Sequence, residues 1–259
     1  MPLRDDKNRS QSKILKLSAS QDAGISGLED EVVIQKVPVF TVTGGTKATP
    51  GNGYSYHYFD EPGTLKVENS PGSTPAQILV VGGGGGGGLY YGAGGGAGGV
   101  AYGNGVTLAD GTYPVGVGTG GEGALAGERG SDGENSTIGD PGSSVFGQPD
   151  YVLAKGGGGG GGHYNGQPYS PGNPGGSGGG ASSGADSDDM GEGTQPGTNP
   201  APQITDYGPD GGVVNQTTGY APGGGGGAAG AGGNVPGQVN GGGDGGAGQP
   251  LPAFPYPLW

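Results

Sequence analysis

The sequence predicts a mainly β and irregular fold: a small β-sandwich base with a packed bundle of polyglycine-II helices and projecting loops, preceded by an extended N-terminal arm. Three observations carry that prediction. Of 259 residues, 72 are glycine and 22 proline, while apolar residues make up 29%, too few for an ordinary core along the whole length. The glycines are segregated, with seven in residues 1–70 and 65 in the remaining 189. Short β-branched and aromatic runs recur between the glycine tracts, so strand, glycine segment and strand alternate.

The arm comes first. Residues 1–36 are polar, with a basic cluster of Arg4, Lys7, Arg9, Lys13 and Lys16 and two apolar patches. Those patches hold Ile14, Leu15 and Leu17, then Val32, Val33 and Ile34. Such a segment becomes ordered by lying on a partner subunit, which makes these six residues the expected attachment contacts; a disordered tail is the alternative. The base follows over 37–81, where VPVFTV, YSYHYF, GTLKVE and QILVV read as strands. Alternation in YSYHYF puts Tyr54, Tyr56 and Tyr58 on one face and Ser55, His57 and Phe59 on the other. GVAYG, TYPVGV, SSVFG and YVLAK supply later strands near 100–117 and 143–155.

The glycine-rich region, 82–259, opens with seven consecutive glycines after Val81. A polyglycine-II helix has three residues per turn and rises about 3.1 Å per residue, so seven glycines span roughly 22 Å. Its N–H and C=O groups point outward, and neighbouring helices satisfy them only where no side chain intervenes. Ordering each residue costs about 1–2 kcal/mol of backbone entropy, and more for glycine. A few isolated helices lose that contest and many packed ones win it, so the expected order is all-or-none. Tyrosine- and proline-bearing turns interrupt the tracts, unlike a Gly/Ser linker, and the strict third-position glycine of collagen is absent. A disordered low-complexity tract is the remaining alternative.

If the strands share one base, each glycine segment projects from it and its tip lies midway. The expected tips are 89–91, 124–137, 163–174 and 234–240, with 199–207 an extra one inside the harder stretch 184–222. They nominate as binding contacts Leu89, Tyr90, Tyr91, Leu125 and Arg129, then His163, Tyr164 and Tyr169. Gln203, Ile204, Tyr207, Val235 and Gln238 complete the set. Tyrosine gives large contact area at low entropy cost. The competing reading is that the rings cap bare backbone at the ends of the glycine segments.

Charge and motif content narrow the function. From residue 71 onward, Arg129 and Lys155 face 14 carboxylates, a net of −12 that disfavours nucleic acid and anionic membranes as partners. There is no cysteine, no apolar h-region at the start and no stretch of 18 apolar residues, so neither disulfide, signal peptide nor membrane span is expected. G-x-G-x-x-G matches in polyglycine carry no information, and no GK[ST] follows them. GADSDDMGEG, with Asp186, Asp188, Asp189 and Glu192, begins like a calcium loop, but Met190 occupies a ligand position. We therefore expect no catalytic residue, no metal and no cofactor.

The succession ILVVGGGGGGG, GAGGGAGGVAYG, LADGTYPVGVGTGG, SSVFG and YVLAKGGGGGGG resembles the glycine-rich domain of bacteriophage tail and virion proteins over 78–162. The architecture is also similar to the adhesins at the long-tail-fibre tip of T-even-type phages. That resemblance implies polyglycine-II helices whose variable loops bind a host surface protein or glycan, while the N-terminal part joins another virion protein (fibre, tail or capsid). It implies a virion location, a tail-fibre or tail-tip adhesin and a homo-oligomer, plausibly trimeric. A head-decoration protein or other appendage without receptor binding is the alternative.

Overall fold

The computed structural model describes residues 39–51, 53–72, 75–125, 128–140, 151–163, 169–184, 189–215, 221–236 and 241–251. The chain divides after Pro38, and the architecture below is that of the unit beginning at Val39. The six proposed attachment residues of the arm, Ile14, Leu15, Leu17, Val32, Val33 and Ile34, lie outside the described residues.

The described chain is mainly β and has no helix. Its first strands are β1 (Thr41–Thr43), β2 (Thr46–Ala48), β3 (Tyr56–Tyr58), β4 (Gly63–Glu68), β5 (Pro75–Val81) and β6 (Val100–Thr107). They are followed by β7 (Gly111–Gly116), β8 (Ser136–Gly139), β9 (Tyr151–Ala154), β10 (Ile204–Tyr207), β11 (Val214–Asn215) and β12 (Val235–Pro236). One antiparallel sheet runs β1-β4-β7-β8-β9 and another β10-β6-β5; β2 pairs with β3, and β11 with β12 in parallel.

The strand chemistry is local. In GTLKVE the alternation buries Leu65 and Val67 and leaves Thr64, Lys66 and Glu68 outside, where Lys66 and Glu68 form an exposed ion pair at 2.7 Å. Ile78 and Val80 of β5 point inward in the same way while Val81 stays exposed. One apolar cluster draws on both larger sheets: Leu65, Val67, Tyr113, Ile138, Val152 and Ala154 from the first, Ile78, Val80, Ala101 and Val106 from the second. Tyr54, Tyr56 and Tyr58 share a face as the alternation requires, with successive ring centroids 6.2 and 6.3 Å apart.

Several boundaries differ from the sequence expectation. The connector GGTKATPGNG contains a strand, β2, which pairs antiparallel with β3; glycines 51 and 53, both at positive φ, lie in the reversal between them. The second tip is shorter than 124–137: residues 136–139 return to the sheet as β8 between β7 and β9. SSVFG lies outside the described residues. The expected extra tip at 199–207 is instead β10, in which Ile204 pairs with Gly103 and Tyr207 with Val100, because ITDY supplies the alternating residues that β6 needs on its open edge.

Between the strands the glycine tracts run side by side as threads whose hydrogen-bond partners recur every third residue. The N–H groups of Gly82, Gly85 and Gly88 donate to the carbonyls of Gly99, Gly96 and Ala93. Those of Gly83, Gly86 and Leu89 donate to Glu134, Ser131 and Glu128. The thread 156–162 is closely bonded: every one of its seven carbonyls accepts a backbone N–H, from the three stretches 93–96, 130–133 and 170–176, and all seven glycines are buried. Where a backbone acceptor is missing a side chain replaces it, Asn135 Oδ1 for the Gly156 N–H at 2.9 Å and Asp132 Oδ1 for the Gly159 N–H at 2.8 Å. Thread 175–181 is bonded as completely, each N–H and each C=O having a backbone partner. In the peripheral thread 241–249, residues 243, 246 and 249 are half-buried and the two between are exposed, again with a period of three.

The edge strand β9 is closed by side chains. Asn199 accepts the Leu153 N–H at 2.9 Å and returns a bond to its carbonyl at 2.8 Å; Gln195 accepts the Lys155 N–H at 2.8 Å and also donates to the Leu153 carbonyl. Asp206 holds both amides, at 2.9 Å from Gln195 Nε2 and 2.6 Å from Asn199 Nδ2. Buried amides are thereby satisfied and the sheet edge is not left as a template for pairing.

Two predictions follow from this packing. A Cβ on any glycine of 156–162 falls closer than 3.0 Å to backbone of a neighbouring thread, whereas at Gly84 its nearest neighbour is the Gly96 carbonyl at 3.8 Å. Gly159→Ala is expected to lower unfolding free energy by about 3 kcal/mol or more, and Gly84→Ala to change it by less than about 1 kcal/mol, read from urea midpoints. Burial pushes the Tyr113 phenol above its ordinary value, and the nearby Asp110 charge adds to it. Above the unfolded-state pKa of about 10, the unfolded chain loses this proton first, so stability is full below that pH and falls as pH rises through the folded value. Tyr113→Phe should flatten that alkaline limb in a pH series of thermal melts.

Candidate binding surface

Thread direction decides which turns meet. Residues 83, 86 and 89 lie beside 157, 160 and 163 in parallel, while 128–134 and 92–99 run antiparallel to them. Residues 89–91, 128, 163 and 183 therefore collect at one end of the bundle, opposite the end where the threads join β5, β6, β8 and β9.

At that end three carbonyls of a single turn are tied down from outside it. The His163 N–H donates to Leu89 O at 3.1 Å and Tyr90 O at 3.2 Å, and the Ser183 N–H to Tyr91 O at 3.2 Å. The turn itself is unusual: Tyr90 and Tyr91 both adopt left-handed backbone, φ 48° and 50°. For non-glycine residues this conformation is costly and persists only where surroundings over-determine it. Its effect is to send both rings outward, 57% and 49% exposed. Rings from two of the expected tips then adjoin: Tyr91 meets His163 with centroids 6.1 Å apart, and His163 stacks on Tyr169 at 4.5 Å and 18°. Tyr169 is 47% exposed, and the His163 Nδ1 is buried without a hydrogen-bond partner.

The other nominated residues are spread out. Leu125 is the most exposed large apolar side chain at this end, at 89%. Arg129 Nη1 donates to Asn173 Oδ1, and Asn173 Nδ2 donates to Asp132 Oδ1 at 2.8 Å, so the guanidinium is engaged along the thread wall. Gln203, Ile204 and Tyr207 belong with β10 at the opposite end, in or next to a strand rather than in a tip. Val235, expected in the tip 234–240, is buried and pairs with Val214 in β12. Tyr164 and Gln238 lie outside the described residues. Reading the sequence alone did not single out Glu128, which is exposed and whose carbonyl takes the Leu89 N–H at 3.4 Å; only the pairing of 83–89 with 128–134 brings it beside the tyrosines.

No cluster of three metal-ligating side chains occurs among the described residues, and none of their helices is long and apolar enough to cross a membrane. Comparison with known families matches residues 60–254 to the glycine-rich domain model. The chain belongs to the glycine-rich domain family. The match takes in β4 through β12 and every thread described above, and leaves out β1, β2 and β3. No curated protein and no solved structure matches the chain.

Within this glycine-rich domain, Gly184 supports the aromatic corner. Its φ is +82°, and a Cβ there would lie closer than 3.0 Å to the Tyr169 ring. Gly184→Ala should therefore part Tyr169 from His163, seen as loss of the ring-current shift on the His163 carbon-bound protons, at a stability cost above about 1 kcal/mol.

Proposed function

We propose that this glycine-rich domain is a display scaffold, a virion adhesin of the tail-fibre or tail-tip kind that offers one end of its thread bundle to a host surface receptor. In this reading the threads are polyglycine-II helices and the two larger sheets form a small β-sandwich base. The period-three recurrence of hydrogen bonds supports the first, since three residues per turn returns each N–H to the same neighbour. The apolar cluster drawn from both sheets supports the second. The observation that carries the functional reading is the convergence of exposed Tyr90, Tyr91 and Tyr169 from separate turns onto one end of a saturated backbone lattice. Loops on a rigid support are a suitable place for recognition. The arm before residue 38 joins the domain to a fibre, tail or capsid protein, and the receptor is a host surface protein or glycan.

The test is competition. Purified protein is expected to block adsorption of the particles that carry it, and the variant with Tyr90→Ser, Tyr91→Ser and Tyr169→Ser to lose that block with an unchanged urea midpoint. Undiminished blocking by the folded triple variant would remove the tip from the reading. Failure of the wild-type protein to block, with stoichiometric binding to capsid alone, would replace it by head decoration.

A further inference from the structure

The chemistry of the thread end says what kind of group it recognises. This inference rests on the display reading and adds the partner's chemistry to it. Tyr90, Tyr91 and Tyr169 are 57%, 49% and 47% exposed. Glu128, exposed, belongs to the same end of the bundle, its carbonyl accepting the Leu89 N–H. The Lys and Arg side chains among the described residues are Lys47 in β2, Lys66 in β4, Arg129 and Lys155. Lys66 is paired with Glu68, Lys155 Nζ donates to the Thr194 carbonyl at 2.7 Å, and Arg129, the one near this end, is held by Asn173. From residue 71 onward the chain carries a net charge of −12, so the field around the bundle draws positive groups and repels negative ones.

We infer that the aromatic corner is a receptor for lysine or arginine side chains on the surface of a protein partner. Electron-rich faces of tyrosine attract a cation placed over them, and a neighbouring carboxylate completes the charge match. The His163 ring stacked on Tyr169 holds that ring in place. The anchored carbonyls of 89–91 hold Tyr90 and Tyr91 outward before any partner arrives, which removes ordering cost from binding.

The experiment uses the full chain and two small probes of matched shape, N-acetyl-arginine amide and its uncharged isostere N-acetyl-citrulline amide, titrated while the tyrosine ring resonances are followed by NMR. Arginine amide should give saturable shifts at Tyr90, Tyr91 and Tyr169, with citrulline amide weaker by a factor of about two to five or more. Glu128→Gln should weaken arginine amide by a similar factor, about two to five, and raising salt should do the same. The paired variant Tyr90→Leu, Tyr91→Leu should abolish the shift at Tyr169, its fold checked by the amide spectrum of the threads in the same samples. Equal shifts from citrulline and arginine amides, or a larger response to N-acetylglucosamine or to phosphatidylethanolamine vesicles than to arginine amide, would overturn the inference. Adsorption blocking by the wild-type protein is measured separately, so a missing response to arginine amide alongside intact blocking discards the cationic partner and leaves the display reading standing.

Discussion

Backbone lying directly against backbone is the interaction on which this molecule depends. In an ordinary domain side chains fill the interior and hydrogen bonds are kept within helices and sheets. Here the interior of 156–162 and 175–181 is itself main chain, and its acceptors and most of its donors are consumed by neighbouring main chain in several directions at once. The absence of a Cβ is the condition for that approach, because almost any side chain on the inner threads would meet a carbonyl before the hydrogen bond could close. Glycine's large conformational entropy loss is offset only because nearly every polar group brought out of water finds a partner.

The sheets give this lattice a starting plane. β5, β6, β8 and β9 each hand the chain directly to or from a thread, so the register of the strands sets the phase in which the threads begin. The apolar cluster is small, and polar side chains extend its reach: Gln195, Asn199 and Asp206 close the outer edge of β9, while Asp132 and Asn135 stand in for missing carbonyls beside 156–162. These residues are few, and Gln195, Asn199, Asp206 and Asp132 each hold more than one partner, which is how a chain with so little hydrophobic material keeps its edges defined.

Much of the strand content was legible in the sequence, and for a physical reason. GTLKVE, QILVV, TYPVGV and YVLAK alternate or concentrate β-branched residues between glycine tracts, and the structure makes strands of them. The side-by-side order of the tracts was legible only in outline, since consecutive glycines have no pattern from which to read which tract lies beside which. That blindness explains the misplacement of 199–207: with no way to see that β6 had an open edge, an apolar stretch between glycines looked like a tip. Val235 was misjudged similarly, because its partner Val214 is distant in sequence. Tyr90, Tyr91, His163 and Tyr169 were visible as turn residues, but their meeting at one end depends on thread direction, which hydrogen bonds fix and composition does not.

The threefold recurrence along the threads also limits how such a chain can change length. Removing one residue from a thread shifts all that follows by one step in the period of three and presents each N–H to the wrong neighbour, whereas removing three shortens the thread and keeps its phase. Insertions in the turns carry no such rule. Lengthening within the lattice is thus quantised in triplets, and free variation is confined to the places where the chain reverses.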